Sequence, residues 1–161
     1  MFETSFFLIK PDALKINPKI MLAWLDLMKQ IKLNNLKIIA CASFTLTYDM
    51  LLKYYPVLDF TKKTMMPIEL KEKIINYQVG KEREGKKHII LVLQGVDVFK
   101  KTQKIKKLIR GKYTEWNKNI GKPENLLHAP DCSQEAEDSL HLFCKQLNIY
   151  KNKQFFIKYQ K

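Results

Sequence analysis

Three histidines, two arginines and a set of lysines at element ends carry most of the chemistry this chain can do. A neutral imidazole is a good nitrogen nucleophile at physiological pH, and also a proton carrier. Lysine and arginine offer oxyanions a point charge and a bidentate fork respectively. His88 follows Lys86-Lys87 at the start of an apolar run and reads as a solvated residue. His141 falls beside the apolar face of the last helical stretch and reads as structural. His128 stands apart: it sits in Asn125-Leu126-Leu127-His128-Ala129-Pro130-Asp131, just before a helix start. Lys10 ends an apolar strand before Pro11-Asp12, and Arg110 is one of only two arginines (with Arg83) in a lysine-dominated chain. The lysine run Lys100–Lys107 is most simply a solvated helix face. Cys41, Cys132 and Cys144 are odd in number and lack CxxC spacing, so neither a zinc site nor a disulfide framework is expected. Cys132 falls in the first turn of a helix but has no catalytic partner in view.

The elements that must position these residues follow from periodicity. Phe6–Ile9 is a buried strand stopped by Pro11. Asn17-Pro18 is a helix start, with Met21, Leu22, Leu25, Met28 and Ile31 as its apolar stripe. Leu36–Leu46 is a strand, and Thr47 caps a short helix reaching Tyr55. A helix over Pro67–Tyr77 and a polar loop over Val79–Lys87 precede a third strand, His88–Leu93. Gly95–Leu108 is a helix, Gly111–Glu124 irregular, and Asn125–His128 a brief fourth strand. Asp131–Leu147 is the last helix, with Asp131 and Gln134 spaced as a capping box. The order βαββαβ plus a terminal helix is the ferredoxin-like α/β (α+β) pattern: one antiparallel sheet with helices on its faces, in a single domain. The domain is expected over 1–147, with an insertion at about 61–87 and a basic tail at 148–161.

The net charge of +13 favours polyanionic partners: nucleotides, nucleic acid or acidic membranes. His88–Leu93 carries no aromatic, so the usual RNA-stacking surface is missing, and nucleic-acid binding has no motif behind it. The N-terminus lacks the basic start of a secretory leader and no apolar stretch approaches a membrane span, so a cytoplasmic location is expected.

Phe7-Leu8-Ile9-Lys10-Pro11-Asp12-Ala13 resembles the opening strand of nucleoside diphosphate kinases, which read IKPD and then a small residue. Asn125–Asp131 is similar to the family's active-site segment, N-[ILV]-[ILV]-H-[GA]-S-D, and Ser133-Gln134-Glu135-Ala136-Glu137 to its following helix start. Leu91-Val92-Leu93-Gln94-Gly95 with Val98 resembles the third strand and its continuation, and Ile109-Arg110-Gly111 the family's I-R-G. IKPD alone is weakly specific; these segments in order over most of the chain are far more so.

The resemblance implies a nucleoside diphosphate kinase that carries phosphate on His128 in a ping-pong cycle. By the same resemblance Lys10 and Arg110 contact phosphates, Asn125 the sugar hydroxyl, Tyr55 stands beside the nucleophile, and Phe60 stacks on the base. It also implies a homo-oligomer and Mg²⁺ held mainly through the nucleotide phosphates, with no protein metal ligand. The chain departs from the family in places. Pro130 replaces the serine two residues after the histidine, and Ser139 replaces the glutamate that orients the imidazole; Glu135 and Asp138 lie nearby in sequence. The long loop before I-R-G is nearly absent, leaving Lys104 as the candidate for that loop's arginine. A binding module of the same fold without strong catalysis is the alternative these departures raise.

Overall fold

The computed structural model describes residues 2–54, 58–59, 64–65, 68–80, 85–114 and 125–147. In chain order these form β1 (Glu3–Ile9), a 3₁₀ turn (Pro11–Leu14), α1 (Pro18–Leu33), β2 (Lys37–Leu46), α2 (Tyr48–Tyr54), β3 (Leu58–Asp59) and β4 (Thr64–Met65). α3 (Ile68–Val79), β5 (Lys86–Gly95), α4 (Val98–Tyr113), β6 (Leu127–His128) and α5 (Ser133–Leu147) follow. Among the described residues β3 and β4 pair only with each other; the main sheet is β2-β5-β1-β6, antiparallel throughout. This is the ferredoxin-like arrangement expected from the sequence.

β1 is central, and its run of consecutive apolar residues follows from burial on both faces. Phe6 and Leu8 point into a core built with Phe44, the α2 residues Met50, Leu51 and Tyr54, Ile75 of α3, and Phe143 of α5. Phe7 and Ile9 point into the opposite core, with Leu27 and Ile31 of α1 and Ile105 and Ile109 of α4. The sheet is thereby sandwiched, and the end of β1 is held rigidly between two helical layers.

The structure corrects several sequence expectations. α1 starts as expected, Asn17 Oδ1 accepting from the Ile20 N–H at 2.9 Å, but it buries Ala23, Leu27 and Ile31. Most of the expected stripe lies outside: Met21 is 60% exposed, Leu22 55%, Leu25 67% and Met28 44%. The helix is apolar over more than one face, and in the rotation it takes Asp26 accepts from Lys112 and Tyr113 of α4. α4 runs through Gly111 to Tyr113, so the first residues of the expected irregular stretch are helical.

β5 begins at Lys86, which puts His88 inside the strand and fully buried rather than solvated. Its ring stacks on Phe44 and lies 2.8 Å from the Lys86 carbonyl and 3.1 Å from Gln78 Oε1. Burial, only partly offset by the carbonyl contact, lowers its pKa to about 4, so it is neutral at physiological pH. Asn125 precedes β6 rather than opening it, and α5 starts at Ser133 rather than Asp131. The capping box with Gln134 does not form; Gln134 donates to Asp138, and Glu135 accepts from the Asp131 N–H instead. The tail at 148–161 and parts of the 61–87 insertion lie outside the described residues, although α3 within that insertion contributes Ile75 and Val79 to the core.

Candidate active site

Two connections bring the ends of β1 and β6 together. The Lys10 N–H donates to the Leu126 carbonyl at 2.8 Å, and Asp12 Oδ2 accepts from the Leu126 N–H at 2.7 Å. Leu126 has φ 64°, a left-handed conformation costly for a branched side chain. Both of its main-chain polar groups are satisfied by the Lys10–Asp12 turn, which holds the strained residue in place. Beyond it, His128 pairs with Leu8 in the sheet.

α4 secures the same segment from the other side. Gln103, Lys106 and Arg110 are spaced three and four residues apart, so they share one helix face. Arg110 donates from Nε and Nη2 to the Leu127 carbonyl at 3.0 and 2.7 Å. Lys106 Nζ donates to the Ala129 carbonyl at 3.1 Å and pairs with Asp131 Oδ1 at 3.0 Å. Gln103 donates to the Ala129 and Pro130 carbonyls at 3.1 and 2.8 Å.

His128 therefore sits on a segment braced from both flanks. Its Nε2 lies 3.0 Å from Glu135 Oε1, and the Tyr54 ring meets it edge-on at 5.7 Å between centroids. Burial depresses its pKa below the ordinary imidazole value; Glu135 opposes this, and Lys106 and Arg110 add to it. The imidazole is thus neutral near pH 7, the form that can act as a nucleophile. Glu135 stays ionised: burial pushes its carboxyl up, but the hydrogen bonds from His128 and the Asp131 N–H, with the Lys106 charge, hold it below the ordinary carboxylate value. Lys10 is buried, and its ammonium is lowered to about 7 by that burial and by Arg110, with Asp12 opposing and Lys106 adding a smaller lowering.

Of the residues named from sequence, Lys10, Arg110, Asn125 and His128 converge here. Asn125 is buried, and among the described residues its Oδ1 has no hydrogen-bond partner. Tyr55 and Phe60 lie outside the described residues; the tyrosine the structure places against His128 is Tyr54. Lys104 is exposed, because two residues along a helix turn it about 200° from Lys106. The buried lysine of this run is Lys106, which overturns a uniformly solvated Lys100–Lys107 face. The signal for Lys106 was its spacing from Arg110, hidden among six neighbouring lysines and polar residues of similar type.

The fold is that of nucleoside diphosphate kinases. The enzyme from Pyrobaculum aerophilum superposes with a TM-score of 0.64 at 20% identity, over 89% of this chain and 96% of that one. A transition-state mimic of the Borrelia burgdorferi enzyme with bound vanadate and ADP gives 0.65 at 16% identity, over 88% and 86%. The Halobacterium salinarum enzyme in complex with CDP gives 0.61 at 17%, over 89% and 88%. No protein-family model matches the sequence, and no curated protein sequence is significantly similar to it. The nucleoside diphosphate kinase fold is therefore shared at a level of identity where most side chains differ, and the site residues stand on their geometry here. Among the described residues, no helix is long and apolar enough to cross a membrane.

Proposed function

We propose that this chain is a nucleoside diphosphate kinase-type phosphotransferase with His128 as its phosphate carrier. The observation that carries the reading is a neutral, braced imidazole beside the buried cations Lys106 and Arg110, with the buried Lys10, half charged near pH 7, within reach of both cations' fields. The substrate is a magnesium-bound nucleoside triphosphate, its ion held mainly by phosphates and water. A ring nitrogen of His128 attacks the γ-phosphorus. The N–P bond forms as the bond to the bridging β–γ oxygen breaks, and the electron pair departs on the nucleoside diphosphate. A second nucleoside diphosphate then reverses the step. Lys10 meets phosphate oxygens as a point charge, and Arg110 stabilises the transferring group. The Asn125 Oδ1 is suited to a sugar hydroxyl, with Tyr55 as a candidate beside the nucleophile and Phe60 as the candidate against the base. A catalytically weakened nucleotide- or nucleic-acid-binding module is the alternative.

The deciding experiment is incubation with Mg²⁺ and γ-labelled ATP. Acid-labile, alkali-stable label on the protein that passes to added GDP supports the proposal. ATP binding with no label overturns it in favour of the binding module.

A pH dependence follows from the two shifted groups. kcat/KM reports the free enzyme. It falls on the acid side only below the ordinary imidazole range, where His128 takes its proton. It falls on the alkaline side as Lys10 loses its charge near pH 7. Bound phosphates favour the charged lysine, so the alkaline limb of kcat is displaced upward relative to that of kcat/KM. Superimposable limbs in the two profiles would remove Lys10 from the phosphate contact.

We further propose that the chain acts as a homo-oligomer through α1 and the edge strand β2. Met21, Leu22, Leu25 and Met28 form an exposed apolar face turned away from α4, and among the described residues β2 pairs on one side only. Leu25→Lys is expected to shift the sedimentation coefficient to that of a monomer; an unchanged oligomer would place the interface elsewhere.

A further inference from the structure

The resemblance puts the family's imidazole-orienting glutamate at the position of Ser139, yet His128 has a carboxylate partner. Glu135 lies four residues earlier in α5, one helical turn, and so on nearly the same face. Both its oxygens are engaged: Oε1 with His128 Nε2 at 3.0 Å, and Oε2 with the Asp131 N–H at 2.6 Å. A carboxylate spanning two donors cannot rotate without losing one of them. An ionised carboxylate only accepts hydrogen bonds, so the ring nitrogen facing it carries the proton.

We propose that Glu135 is the positioning residue for His128, taking over from one helical turn earlier the part played elsewhere in the fold by a glutamate at position 139, and that it thereby reserves Nδ1 for the phosphoryl group. The inference rests on the phosphotransfer reading above. In that reaction Nδ1 supplies its lone pair to phosphorus, Nε2 keeps its proton, and the positive charge that develops on the ring is shared with the Glu135 carboxylate. No proton leaves the imidazole in either half of the cycle. The anchorage of Asp131 adds a second function: the carboxylate that orients the ring also ties down the chain two residues before the helix.

A glutamine at 135 has one acceptor atom for two donors. It must either abandon the Asp131 N–H or turn its amide toward Nε2, which favours the proton on Nδ1. The test is a ¹⁵N–¹H correlation spectrum of histidine-labelled full-length protein, with phosphotransfer rates measured in parallel. The expected result is an Nε2-protonated His128 in the natural protein. In Glu135→Gln either this preference or the Asp131 anchor is lost, and kcat falls, by on the order of 10²–10⁴-fold where the tautomer is lost. A natural protein with its His128 proton on Nδ1 overturns the proposal, whether or not the variant folds. So does a variant with unchanged tautomer and rate. An Nε2 proton that Glu135→Gln displaces, in a protein that takes no phosphate from ATP, would retain Glu135 as the ring's positioning residue and reject the phosphotransfer reading instead.

Discussion

His128→Gln is expected to lower phosphotransfer by on the order of 10⁴-fold or more, to the background of uncatalysed exchange. A covalent carrier differs from residues that merely stabilise charge. Without it, the two half-reactions have no shared intermediate, and the remaining cations only hold a nucleotide. Glutamine is close to histidine in volume and keeps a donor toward Glu135 Oε1, so the packing against Tyr54 and the brace from α5 survive. Thermal unfolding is therefore expected within a few degrees of the natural protein. The check is transfer of label from γ-labelled ATP to GDP, alongside a melting curve. Residual transfer at a tenth of the natural rate, in a folded variant, would show that His128 is not the carrier.

Phe143→Ala is expected to carry the largest stability loss, about 3–5 kcal/mol for a fully buried ring. Three aromatic side chains converge on it: Phe6 at 5.8 Å, Phe44 at 5.5 Å and Tyr54 at 5.1 Å between centroids. These come from β1, β2 and α2, so the vacated space opens where four elements meet and no single side chain can collapse into it. At about 2–4 °C per kcal/mol for a chain of this size, the melting temperature falls by roughly 6–20 °C. Because Tyr54 touches both Phe143 and His128, activity in the surviving folded fraction is expected to drop as well. Phe143→Leu should lose clearly less of both. A melting temperature unchanged in Phe143→Ala would mean that this cluster is not the keystone of its face of the sheet.

What was legible in the sequence depended on how many neighbours a residue answers to. β1 is buried on both faces, and only an unbroken apolar run satisfies that, so Phe6–Ile9 announced itself. The ends of its ladder carried the IKPD and NxxHxxD segments, which is why Lys10, Asn125 and His128 were found together. α1 was legible as a helix but not in its rotation. With apolar residues on several flanks, periodicity alone could not separate Ala23-Leu27-Ile31 from Met21-Leu25-Met28. The choice depends on contacts distant in sequence, such as Asp26 meeting Lys112 and Tyr113 across 86 and 87 residues. Lys106 was illegible for a related reason: in a run of lysines, type carries no information, and only the face shared with Arg110 does. His88 looked solvated because Lys86 and Lys87 precede it, but strand pairing with β2 extends to Lys86 and draws the ring inside. Glu135 was visible as a residue but not as a partner, since the family motif carries its orienting glutamate at the position of Ser139, one helical turn later.

The grip of α4 on the segment around His128 has an evolutionary side. Arg110, Lys106 and Gln103 take hold of carbonyl oxygens of Leu127, Ala129 and Pro130, and a carbonyl is the one acceptor every amino acid owns. A segment registered in this way keeps its path while its side chains drift. Proline lacks only the N–H, so Pro130 can stand where a hydroxyl residue is usual and still be held at 2.8 Å through its carbonyl. Side-chain changes along 129–130 leave this anchorage in place, whereas changes at 103, 106 and 110 remove it.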